Sequence, residues 1–212
     1  MRKIVFVSLI FCLTLTAGET KAQKEEQLFN GKNLSKWKFV VDKNSEPAAA
    51  VFSVRDGVIN VKGTLGYMYT KKKYSDYVLH VEWRWPEEAT NSGIFLLIAD
   101  AKSPFPNGIE CQLAAGRAGD LVLLGGANLN EYKTPPEGRP AFPVIKKAAE
   151  SSEKPPGEWN QASILVKKGV ITVYINGVIQ NSGTSPVTEG HIGLQSEGKA
   201  VQFRNVTLTE LK

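Results

Sequence analysis

Hydrophobic and polar positions alternate with a period of two along most of the chain. From Tyr77 to Trp85, apolar side chains stand at Tyr77, Leu79, Val81, Trp83 and Trp85, while His80, Glu82 and Arg84 fill positions between them. Successive side chains of a strand point to opposite faces, so this segment reads as a half-buried strand. Ile109 to Leu113 alternates in the same way, with Glu110 and Gln112 opposite Ile109, Cys111 and Leu113. Gly93 to Ile98 is an unbroken apolar run, which fits a central strand. Asp56-Gly57 between Val51–Val54 and Val58–Val61 predicts a tight hairpin, as do Lys168-Gly169 and Asn176-Gly177 further on. His191 to Gln195 and Val201 to Leu211 complete the strand set. Only Val144 to Ser151 offers a helical alternative after residue 22. Many short strands with regular turn signals predict an all-β sandwich or barrel whose first and last strands pair.

One stretch departs from the rhythm. Gly116 to Glu158 holds six prolines and a single strand candidate, Leu121–Leu124, so it reads as a long loop at about 116–158. Loops of this length are uncommon unless they are functional or disordered.

The first 22 residues have a different character. Arg2 and Lys3 precede an apolar run, Ile4 to Leu15, followed by Ala17, Gly18, Thr20 and Ala22. This is the three-part pattern of a signal peptide, with cleavage expected after Ala22. The run falls short of the roughly 20 apolar residues that span a bilayer. Phe11 before Cys12 does not suit a lipid-attachment site. Export to the periplasm or cell surface is expected, with residues 23–212 forming one domain and no stable membrane insertion. That domain keeps one cysteine, Cys111, which reads as a small core residue. Without an internal disulfide, a core must carry the stability.

Net charge for the whole chain is +5. Without a basic stripe interleaved with aromatics, nucleic acid is not an expected partner. The two histidines lack partners at zinc spacing, and no Gly-x-Ser-x-Gly elbow or phosphate-binding glycine loop is present.

Strand parity gathers the remaining candidates. Glu82 and Arg84 share one face of their strand, Glu110 and Gln112 one face of theirs, and His191, Gln195 and Glu197 a third set. Each set lies opposite apolar side chains, so one sheet is expected to show a core face and a polar face. A solvated sheet face also alternates, so polarity alone does not make a site.

Several motifs then fall into a familiar order. They are Leu28-Phe29-Asn30-Gly31-Lys32-Asn33-Leu34-Ser35-Lys36-Trp37, Asn91-Ser92-Gly93-Ile94-Phe95-Leu96, Gly108-Ile109-Glu110-Cys111-Gln112 and Gly157-Glu158-Trp159-Asn160. Asn176-Gly177, Gly190-His191-Ile192-Gly193-Leu194-Gln195 and Phe203-Arg204-Asn205-Val206 follow. Over about residues 27–212 the chain resembles the 3-keto-disaccharide hydrolase domain family. The resemblance implies a concanavalin-A-like jelly roll of two antiparallel sheets, with a site on the concave sheet and a carbohydrate substrate oxidised at sugar C3. Two positions depart from the family's pattern: Glu197 stands where many members have His, and Leu97 where many have Arg.

A ketone at C3 acidifies the proton on C2. A base removes that proton, the glycosidic oxygen leaves C1, and water adds back. Glu110 and Glu197 are the expected catalytic pair, with Glu110 as either base or acid. Glu82, Arg84, Asn91, Gln112, His191 and Gln195 are expected to contact substrate. No cofactor is inferred, although a divalent cation is conceivable, and oligomeric state is not legible. The rival reading is a glycan-binding module without turnover.

Overall fold

A computed structural model describes residues 24–212. The expected leader, including Cys12, lies outside them. The strands in chain order are β1 Glu25–Gln27, β2 Trp37–Val41, β3 Phe52–Arg55, β4 Val58–Val61, β5 Gly66–Thr70, β6 Tyr77–Arg84, β7 Gly93–Asp100 and β8 Asn107–Gln112. After them come β9 Leu121–Leu124, β10 Val144–Ile145, β11 Asn160–Lys167, β12 Val170–Ile175, β13 Val178–Thr184, β14 His191–Ser196 and β15 Val201–Glu210.

They form two antiparallel sheets, the expected jelly-roll sandwich. One sheet has eight strands in the order β13-β12-β11-β6-β15-β4-β3, with β1 also paired to β15. The other has seven in the order β10-β9-β8-β7-β14-β5-β2. The first and last strands pair, Glu25 opposite Thr209. The predicted hairpins form at Asp56-Gly57, Lys168-Gly169 and Asn176-Gly177. All six of these residues have positive φ, between 48° and 81°. That left-handed pair of residues matches the twist of the strands it joins.

The core lies between the sheets. Trp83 on β6 opposes Phe203 on β15, and both are fully buried. Tyr77, Leu79, Val81, Ile164, Val173 and Leu208 extend this layer from the eight-stranded sheet. Ile94, Ile109, Cys111, Leu121 and Leu194 meet it from the seven-stranded sheet. Cys111 is a buried free thiol, as its parity predicts.

Two segments differ from the sequence reading. Val144–Ser151 is not helical: Val144–Ile145 pairs with Val122 and Leu121 on the edge of β9. Eight residues are too few for a stable isolated helix, and an open strand edge satisfies the backbone directly. Ala48–Val51 makes one helical turn before β3, taking Val51 out of the predicted strand.

The 116–158 segment is strapped down rather than loose. Asn181 Nδ2 donates to the carbonyls of Gly119 (3.1 Å) and Ile145 (2.9 Å). Gln180 Nε2 donates to Glu150 O at 3.2 Å, and Ser152 Oγ donates to Ile175 O at 2.7 Å. Side-chain amides of β13 thus tie carbonyls of this segment to the eight-stranded sheet. The segment also adds β9 and β10 to one side of the seven-stranded sheet.

Truncating Phe203 to Ala removes a fully buried ring from the layer that joins the two sheets. It is expected to cost roughly 3–5 kcal/mol, read from urea unfolding midpoints at unchanged m.

Candidate active site

The seven-stranded sheet carries a second apolar cluster on the face turned away from the sandwich core: Tyr67, Phe95, Ile98, Val122 and Leu124. Register places the site residues on this face. Phe95 pairs with Glu110, Glu110 with Val122, and Val122 with Val144. One step along the strands, Gly93 pairs with Gln112 and Gln195 with Tyr67. Glu110 and Gln112 therefore share a face with Gln195, as parity predicts.

A cavity of about 270 Å³ opens over these positions. This is near the lower end of small-molecule sites, which run from roughly 300 to 1,000 Å³. Asn91, Glu110, Gln112, Arg117, Gln195 and Glu197 form its polar lining. Its apolar lining comes from Phe105, Val122, Leu124, Phe142 and Val144.

Glu110 is only 3% exposed, and its Oε1 has no hydrogen-bond partner. A Cβ at residue 93 would lie 2.2 Å from that oxygen, so glycine there is what makes room for the carboxyl group. Burial, then the charge of Glu197, push Glu110 up to about 8 against the pull of Arg117. Glu110 is thus a neutral acid at neutral pH. Glu197 is also raised, chiefly by burial, but hydrogen bonds from Asn91 and Gln195 pull it the other way. Gln195 Nε2 donates to Glu197 Oε2 at 2.7 Å.

Other polar atoms are committed or left open in a telling way. Gln112 Oε1 accepts from the backbone N–H groups of Leu113 and Ala114, both at 2.9 Å. That fixes the side chain and turns its NH₂ away from those bonds. Asn91 Oδ1, Glu110 Oε1 and Gln195 Oε1 are buried without a partner. Buried polar groups are normally paired, so these three oxygens on one cavity wall can each accept a hydrogen bond from a polar group that enters it. Tyr67 Oη is a further orphan on the same sheet face. Among the described residues, no three His, Cys, Asp or Glu side chains gather into a metal-binding group.

Three of the expected contact residues lie away from the cavity. Glu82 and Arg84 lie on β6, in the other sheet, and face away from this cavity. Parity assigns a face within a strand but not the sheet that the strand joins. Glu82 instead accepts from Arg204 Nε at 2.7 Å and Asn205 Nδ2 at 2.9 Å. Arg84 Nε donates to Gln202 Oε1 at 2.6 Å, and its guanidinium lies 4.7 Å from the Trp159 ring centroid. His191 belongs to the right sheet but stands edge-on to Tyr69, 5.3 Å between ring centroids, and does not line the cavity. Leu97 has φ 52° within an irregular stretch of β7 and turns into the sandwich core. The departure there from the family pattern thus leaves the cavity lining untouched.

Sequence reasoning missed Arg117, Phe105 and Phe142. Arg117 follows β8 in a turn and is held by Asp120, with Nε to Oδ2 at 3.0 Å. Phe105 and Phe142 come from separate loops and meet with centroids 4.9 Å apart. Nothing in strand periodicity reports on loop residues that meet across a face.

Residues 24–209 match the 3-keto-alpha-glucoside-1,2-lyase-like domain. The chain belongs to that family. No curated protein matches the sequence. Among solved structures, a "putative glycosyl hydrolase" from Parabacteroides distasonis aligns at TM-score 0.65 and 23% identity, covering 89% of this chain and 94% of that one. The carbohydrate-binding module CBM66 of Bacillus subtilis aligns at 0.60 and 12%, covering 82% and 96%. The β-glucanase of Bacillus licheniformis aligns at 0.56 and 11%, covering 92% and 100%. At these identities the likeness establishes the shared sandwich fold.

The raised carboxyl predicts a stability signature. Unfolded, Glu110 releases its proton near 4.5; folded, it holds it to about 8. Between those values the native state binds more protons, so its contribution to stability falls as pH rises. Glu110→Gln is therefore expected to be more stable than wild type by roughly 2–4 kcal/mol at pH 7, and equal to it at pH 4, in urea titrations at both pH values.

Proposed function

We propose that this is an exported enzyme that cleaves glycosides oxidised at sugar C3, by elimination followed by hydration. The observation that carries the reading is the Glu110–Glu197 pair, whose unequal burial separates an acid from a base inside one cavity. The family's lyase-like description and the glycosyl hydrolase title of a structural neighbour support a carbohydrate substrate. The leader pattern at residues 1–22 supports export.

Glu197, the more exposed carboxylate, takes the proton from C2. The C2–H electron pair becomes the enolate of the C3 ketone. Arg117 and the Gln112 and Asn91 amides stand as donors to that developing charge. As the enolate collapses to a C1=C2 double bond, the bond from C1 to the glycosidic oxygen breaks. Glu110, protonated at neutral pH, gives that oxygen its proton. Water then adds across C1=C2, with OH to C1 and H to C2, and the reverse proton transfers restore both carboxyl groups. A deeply buried carboxyl group beside a more exposed, hydrogen-bonded one gives a single site the means to run acid and base steps together.

A second reading, glycan binding without turnover, draws on the aromatic rings of Tyr69, Phe105 and Phe142 on the cavity side of this sheet. Sugar faces pack on such rings.

Incubation with a 3-keto-glucoside and its unoxidised parent decides between them. Release of the aglycone from the keto compound alone is expected. Binding of both with release from neither would leave only the binding module. Glu110→Gln and Glu197→Gln are each expected to lower kcat/KM by about 10²–10⁴-fold. The wild-type kcat/KM profile is expected to fall on the alkaline side near pH 8, as Glu110 loses the proton it must donate.

A further inference from the structure

The cavity is polar at one end and apolar at the other, and Glu110 stands at the division. Along the strands, the row beyond Glu110 toward the end of β14 holds Gln112 and Gln195, with Glu197 just past β14. In the opposite direction the next paired row is Gly108 with Leu124. Phe105 packs against the cluster that holds Leu124, and its ring meets that of Phe142 in the same cavity wall, 4.9 Å apart and tilted by 55°. Val122 and Val144 continue this apolar wall sideways from Glu110 itself.

We infer that the apolar end receives the leaving group of the glycoside, and that this leaving group is an aromatic alcohol rather than a second sugar. The inference deepens the proposed function and rests on it. Glu110 must reach the glycosidic oxygen, the atom that joins the sugar to what it leaves with. The two halves of the substrate therefore fall on either side of this residue. The sugar half, with its ketone and hydroxyls, suits Asn91, Gln112, Gln195 and Glu197. A second sugar could lay one face on the phenylalanine rings, but its ring-edge hydroxyls would then lie against Val122, Leu124 and Val144, and burying a hydroxyl without a partner is costly. An aromatic ring there instead meets two tilted phenylalanine rings in the packing such rings favour. Phe142 is 45% exposed, a large apolar side chain held at the cavity mouth with one side open. In the elimination, the C1–O electron pair leaves with the aryl oxygen, which takes the Glu110 proton and departs as a phenol.

Binding separates this assignment from turnover. Calorimetry on the Glu197→Gln protein would compare 3-keto forms of phenyl glucoside and methyl glucoside. The phenyl ligand is expected to bind about tenfold more tightly. Adding Phe142→Ala is expected to shrink that preference roughly five- to tenfold, whereas Tyr174→Ala, on β12 of the eight-stranded sheet, keeps it. Equal affinity for the two ligands overturns the aryl assignment and leaves the carbohydrate reading standing. So does a preference unmoved by Phe142→Ala. Binding of neither ligand removes the carbohydrate reading and the aryl assignment together.

Discussion

Burying the Glu110 carboxyl group among apolar neighbours with no cation bonded to it is the constraint to which the rest of the site answers. Ionising such a group is expensive, so it keeps its proton into the neutral range. Its oxygen lies over residue 93, which only glycine can occupy without displacing it. Its strand neighbours Ile109 and Cys111 face the sandwich core, so Glu110 cannot turn away from the cavity without breaking the sheet register. The position is thus held by the same alternation that builds the core.

The apparatus around it spreads the cost. Glu197 sits at the end of β14, where it keeps contact with solvent and with Gln195. Arg117 is tied to buried Asp120, which also accepts the Lys147 backbone N–H at 2.8 Å. One carboxylate therefore anchors both a cavity arginine and the segment that carries β10. The long proline-containing stretch is part of the site: it supplies Arg117, Val122, Leu124, Phe142 and Val144 to the lining. The straps from Asn181 and Gln180 make the cavity depend on β13 of the opposite sheet. The cavity thus draws on both sheets, although the face beneath it belongs to one.

Much of the cavity floor was legible from local pattern. The parity of Ile109–Leu113 placed Glu110 and Gln112 on one face, and the spacing of Gln195 and Glu197 placed them together. Asn91, just before β7, joined them through the motif it begins. Glu82 and Arg84 obey the same parity on β6, yet β6 pairs with β11 and β15, strands roughly 80 to 120 residues away in the chain. Their outward face makes a surface network with Trp159, Arg204 and Asn205 instead.

What the chain determined by itself is therefore short-range: strand faces, hairpin turns at residue pairs able to take positive φ, a core thiol, and the order of family motifs. These follow from sterics and burial over a few residues. Tertiary structure alone decided which strands share a sheet, that Leu97 turns inward where β7 is irregular, and that Phe105, Arg117 and Phe142 converge from three loops. Those outcomes depend on pairings between distant segments, whose free energy no local window contains. The carboxyl group at position 110 belongs to both accounts. Its direction came from alternation, and its proton from the environment that only the folded chain assembles.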